Sequence, residues 1–169
     1  MKLKKIVILL IFITSSLLYS QNKNSGIEIY LVKKENLDLN YENYKGGKQE
    51  CIFCLDLKKD DLYDSPLITY NDIKNFDWDN QQITLTDTAQ KRINNLAFSS
   101  FTPVAMVLNG EIIYGFWFWG MASSAGCDRV YTFPKYRSNG FKIEFGLPEN
   151  FTFGEDPRFD KRLKDFLKK

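Results

Sequence analysis

Asn109-Gly110 constrains the fold more than any other pair of residues in the chain. Pro103 to Leu108 before it and Glu111 to Trp119 after it are apolar-rich runs of strand length. A two-residue type I′ turn needs positive φ at both central positions, which Asn and Gly tolerate, so the two runs are expected to close as an antiparallel hairpin. In the second arm Tyr114, Phe116 and Phe118 alternate with Gly115, Trp117 and Trp119. Apolar residues on both faces imply a strand covered on both sides. A competing reading makes Trp117 and Trp119 an exposed platform for sugar rings or an apolar partner, since an indole offers a broad face and one donor. Gly115 would then leave the space beside the indoles open, with Trp119 the more exposed of the two.

Around the hairpin the pattern is mostly strand. Ile27 to Val32, Cys51 to Leu57, Gln82 to Leu85, Asp128 to Phe133 and Phe141 to Phe145 each read as strands. Thr69 with Asp72 three residues on predicts a short helix over Tyr70 to Phe76, and Asp87 with Gln90 predicts another from Thr88 to Leu96. Asp156-Pro157 opens a last helix, whose Phe159, Leu163, Phe166 and Leu167 would pack back on the sheet. No βαβ rhythm is present. The class expected is α+β, a mostly antiparallel or mixed sheet of about six strands with two or three helices on one face.

The first residues give an address. Lys2, Lys4 and Lys5 precede an apolar run from Ile6 to Ile13, and Thr14, Ser15, Ser16 and Ser20 follow it. This is the layout of a secretory signal peptide cleaved before Gln21, and it is too short and too soon interrupted for a membrane span. The organisation is then residues 1–20 as signal peptide, 21–26 as a polar lead and 27–169 as a single α+β domain. Export to the periplasm or the extracellular space follows, with no membrane span after signal removal.

Charge and composition exclude whole classes. With the three leader lysines removed from the 23 basic side chains, 20 remain against 21 acidic ones. A near-neutral chain lacks the basic footprint that nucleic acid demands. There is no histidine, so Ser-His-Asp and Cys-His catalysis and His-bearing zinc sites are impossible. No cofactor or metal is expected.

Cys51 and Cys54 have the C-x-x-C spacing of redox and metal sites. In a thioredoxin-like site such a pair opens a helix, whose N-terminus lowers the pKa of the first thiol. Here the flanking residues alternate as a strand, which would put the two sulfurs on opposite faces. An exported chain with three cysteines is expected to form one disulfide, and Cys54–Cys127 is the pair this geometry prefers.

After the hairpin, Gly120 to Gly126 is small and hydroxyl-bearing, and could present backbone N–H groups to a ligand. Ser123 and Ser124 join Trp117 and Trp119 as candidate ligand- or partner-binding residues; a plain connecting loop is the alternative. No catalytic residue stands out. The long Lys33 to Glu50 stretch, rich in Asn, Lys and Tyr, is a second candidate contact region or a tolerated insertion.

Three segments together carry a family likeness: Pro66 to Ile73, Ile83 to Thr86 with the helix after it, and Val104 to Ile113 about Asn109-Gly110. Their order resembles the head subdomain of the first periplasmic domain of the SecD export protein. The resemblance implies an extracytoplasmic α+β sheet domain and does not extend to a role in the translocon. The function expected is an exported, non-catalytic binding or interaction domain whose partner is an envelope or extracellular macromolecule, protein or glycan. A carboxylate-based enzyme on cell-wall or polysaccharide glycans, and a structural envelope component, are the alternatives.

Overall fold

The turn at Asn109-Gly110 closes as its residues demand, with φ of 52° and 80°. The computed structural model describes residues 26–33, 51–97, 100–135 and 139–168. In chain order the strands are β1 (Ile27–Leu31), β2 (Ile73–Asp77), β3 (Gln82–Leu85), β4 (Phe101–Leu108), β5 (Glu111–Trp119), β6 (Cys127–Thr132), β7 (Phe141–Lys142) and β8 (Glu144–Leu147). Two α-helices, α1 (Asp87–Asn95) and α2 (Lys161–Leu167), complete the set among the described residues. The class is α+β, as expected, but the strands form two sheets. One has five strands in the order β1-β4-β5-β6-β8, and the other three in the order β2-β3-β7. Pairing is antiparallel throughout except between β5 and β6.

The five-stranded sheet is the middle layer. From β5, Tyr114, Phe116 and Phe118 enter the main core with Phe141, Ile83, Leu85, Ile93 and Leu163 from the second sheet and both helices. On the other side lie Trp117 and Trp119 with Cys127, Tyr131 and Phe53, and further along Ala105 and Val107 with Val32 and Leu62. The cover on that face is an irregular strap, residues 51–62, laid across the sheet. A Cβ at Gly115 would stand 2.7 Å from Cβ of Leu55 and 3.0 Å from Cδ1 of Leu57, so glycine there is what lets the strap lie close.

Several elements differ from expectation for identifiable reasons. Cys51 to Leu57 is not a strand. The Thr69–Asp72 box forms, with the Asp72 carboxylate accepting from Thr69 N–H at 2.8 Å, but it opens only a 3-10 turn (Tyr70–Asp72). Ile73, Asn75 and Asp77 are weak helix formers, and the chain there pairs instead with β3, Phe76 opposite Ile83. Thr86 rather than Asp87 caps α1, its hydroxyl accepting from Ala89 N–H at 3.3 Å. Gln90 is buried and braces a turn, its side-chain oxygen accepting from Gly140 N–H at 2.7 Å.

The expected Phe141 to Phe145 strand divides at Ile143, whose N–H bonds Gln81 O at 2.9 Å. The part before it joins the three-stranded sheet and the part after it the five-stranded one, so this short stretch is the corner between the sheets. Pro157 opens a 3-10 turn (Pro157–Phe159), and α2 starts at Lys161 with Asp160 as its cap. Leu163 is buried and Phe166 and Leu167 pack on the core, whereas Phe159 is half exposed against the Trp78 ring. The leader and nearly all of the Lys33 to Glu50 stretch lie outside the described residues. Among the described residues no helix is long and apolar enough to cross a membrane.

Candidate functional site

Two neighbouring features share one aromatic cluster: the strap that carries Cys51 and Cys54, and a cavity beside the Gly120 to Gly126 loop. The cluster begins with β5. Trp117 and Trp119 are both 0% exposed, so neither forms the open platform that their pattern allowed. Gly115, taken as open space in that reading, lies beneath Leu55 and Leu57. Phe53 comes down from the strap, its ring edge-on to Trp117 at 5.5 Å and to Trp119 at 5.0 Å. Trp117 Nε1 donates to Phe53 O at 2.8 Å. Trp119 stacks on Phe101 at 5.2 Å, and its Nε1 has no hydrogen-bond partner among the described residues.

The residue that shapes the strap is Asp128. It is 3% exposed, and its two carboxylate oxygens accept from Ile52 N–H at 2.7 Å and Phe53 N–H at 3.0 Å. Those are the donors a strand would have given to a neighbour. Gathered onto one carboxylate, they bend the backbone between the two cysteines, and Cys51 and Cys54 meet in a disulfide with Cα atoms 5.6 Å apart. The expected Cys54–Cys127 bridge is therefore corrected, because the alternation that put the sulfurs on opposite faces does not survive the bend. Cys127 is a free thiol buried in the aromatic cluster, its S–H donating to Arg129 O at 3.6 Å, with burial pushing its pKa up to about 12. The observed bridge closes so short a loop that the chain-entropy model gives it only about 2 kcal/mol, against about 4–5 kcal/mol for the long-range bridge expected.

The cavity lies on the other flank of the cluster. It encloses about 520 Å³ and is lined by Met121, Ser123, Ser124, Ala125, Gly126, Phe133, Leu147 and Pro148. Phe133 and Leu147 pack on the Trp117–Trp119 cluster, so the buried indoles support the cavity from behind without facing a ligand. Met121 is 61% exposed at its rim. A Cβ on Gly126 would stand 2.6 Å from Leu147 O, so glycine is what allows the loop to close against the end of β8.

Ser123 and Ser124 are thus brought to one cavity, while Trp117 and Trp119 sit behind it. Three of the backbone N–H groups that the loop was expected to offer bond within the protein. Gly120 N–H bonds Ser100 O at 2.7 Å, Ser123 N–H bonds Gly120 O at 3.0 Å, and Ala125 N–H bonds Ser123 Oγ at 3.3 Å. The lining is mainly apolar with two hydroxyls, suited to an apolar body that carries a hydrogen-bonding edge.

Elsewhere, Asp72 and Asp160 are tied down. Partial burial works against ionisation of Asp72, but hydrogen bonds from Thr69 and Arg92 outweigh it and hold the pKa below the ordinary 3.8. The Arg162 guanidinium and backbone N–H likewise hold Asp160 low against slight desolvation. A second, smaller hollow of about 290 Å³ has Glu111, Asp165 and Arg162 on its walls, with Arg162 3.8 Å from the Glu111 carboxylate. Among the described residues no group of three His, Cys, Asp or Glu side chains could hold a metal ion. Comparison with protein-family models, with characterised proteins and with solved structures finds no match.

Proposed function

We propose that the protein is an exported binding domain that holds an apolar segment of an envelope or extracellular macromolecule in the cavity beside Gly120 to Gly126. The observation that carries this reading is the cavity itself. Its roughly 520 Å³ falls within the range of about 300–1,000 Å³ common to ligand sites. Its lining is mostly apolar, Met121 and Ala125 from a loop braced by hydrogen bonds and Phe133, Leu147 and Pro148 opposite, with Phe133 and Leu147 packed on a buried aromatic cluster. Pre-formed shape of this kind lowers the ordering cost of binding. The two serines supply the polar contact that would orient a bound segment. The Lys-capped leader, and the resemblance to the SecD head subdomain, support the extracytoplasmic setting.

Octyl glucoside, an alkyl chain with a sugar head, is a suitable probe because it offers both an apolar body and hydroxyls. In a titration followed by amide NMR, shifts are expected to be confined to Met121 to Gly126, Phe133 and Leu147. Shifts spread over the surface, or none up to the micelle concentration, would reject the cavity as a binding site. Shifts centred instead on Glu111 and Asp165 would favour the glycan-enzyme alternative.

A further inference from the structure

We infer that the Cys51–Cys54 disulfide is an exchange site, which takes two electrons from a protein dithiol and is restored by an external disulfide. This stands apart from the cavity and does not depend on it. Three observations converge. The bridge spans only Ile52 and Phe53, so it constrains the unfolded chain little and is a poor staple. The loop it closes is already held without it, by the Asp128 carboxylate on both intervening N–H groups and by Phe53 wedged among Trp117, Trp119 and Phe101. The two cysteines are also unequal, Cys54 exposed and Cys51 half-buried. A structural bridge needs neither the redundancy nor the asymmetry.

The exchange runs as two displacements at sulfur. A substrate thiolate attacks the accessible Sγ of Cys54; the new S–S bond forms as the Cys51–Cys54 bond breaks, and Cys51 leaves as a thiolate. A second substrate thiolate then attacks its own sulfur in the mixed disulfide, expelling Cys54 as a thiolate. The substrate is oxidised to a disulfide and Cys51 and Cys54 are reduced, with the two substrate protons passing to solvent or to the cysteine thiolates. An external disulfide reverses the sequence and recloses the pair, whose spacing the Asp128 anchor preserves. Cys127 takes no part, because its thiol is buried with a raised pKa.

The mature chain, incubated in native buffer with defined mixtures of reduced and oxidised glutathione and then acid-quenched and alkylated, tests this directly. Cys51 and Cys54 are expected to equilibrate with the glutathione couple while Cys127 carries no glutathione. In Cys51→Ser, glutathione should attach at Cys54. Should that variant fail to fold, reduction of the unsubstituted protein by dithiothreitol decides the matter. Its native rate is expected within roughly tenfold of the rate in guanidinium, with the reduced protein still showing a cooperative melt. A native rate on the order of a thousandfold slower than the denatured rate, or unfolding on reduction, would overturn the inference and make the bridge structural.

Discussion

Trp117 and Trp119 stand on the same strand face with the same burial, yet among the described residues only Trp117 finds an acceptor for its indole N–H, Phe53 O at 2.8 Å. Replacing Trp117 with Phe removes the donor to a carbonyl inside an aromatic cluster, whereas the same change at Trp119 removes a donor that has no partner among the described residues. Trp117→Phe is therefore expected to cost about 1–3 kcal/mol more than Trp119→Phe in urea unfolding, and equal costs would contradict this reading of the cluster. Asp128→Ala likewise leaves Ile52 and Phe53 N–H without their acceptor. The two-faced alternation of β5 was readable from sequence, because period-2 patterning reports which side chains share a face. Asp128 was not. Its partners lie some 75 residues away in the chain, and no local pattern links an acid at the start of one strand to the backbone of a distant loop.

At the scale of elements, local signals were read correctly where the chain itself satisfies them and misread where another element decides. Asn109-Gly110 needs nothing beyond its own φ angles, and the hairpin formed. The Thr69–Asp72 box also formed, but whether a helix followed depended on β3 being available to pair. That box has a pH signature. The folded-state pKa of Asp72 is depressed, so its contribution is present above the ordinary 3.8 and is lost as pH falls through 3.8 toward the folded value. Asp72→Asn is expected to flatten the acid limb of stability below about pH 4 without changing its neutral-pH shape; an unchanged acid limb would contradict it.

The strap was missed for the opposite reason. Phe53, Leu55 and Leu57 alternate like a strand, but they alternate because they cover β5 from above. Gly115→Val would force Leu55 and Leu57 off the sheet, and a red shift of the buried tryptophan emission with loss of cooperativity is expected. Native-like emission would mean that the strap can rise without opening the cluster.

The whole molecule is a sheet sandwiched between a layer that holds the second sheet and both helices and an irregular strap, with the cavity where the strap's aromatic cluster ends. Class and central hairpin were legible from periodicity alone. The division into two sheets was not, since it turns on the single residue Ile143 between β7 and β8. The cavity was legible only as a small-residue loop, because its other wall comes from Phe133, which the sequence marks as an ordinary strand residue, and from Leu147, which lies beyond the last strand expected. Export belongs to this scale too. Protein recovered from its native compartment is expected by intact mass to start at or near Gln21, and retention of Met1 would contradict the leader reading.

The cavity as ligand site is the central claim, and alkyl chain length is its sharpest probe. Calorimetric titration of hexyl, heptyl and octyl glucosides below their micelle concentrations should compare the unsubstituted protein with Ala125→Trp, which places an indole in the cavity from an exposed loop position. Binding to the unsubstituted protein is expected to tighten by up to about fourfold per methylene, the gain from burying one CH₂, and to be lost in Ala125→Trp while its melting temperature holds. Affinity that ignores chain length, or that survives in Ala125→Trp, would contradict the account.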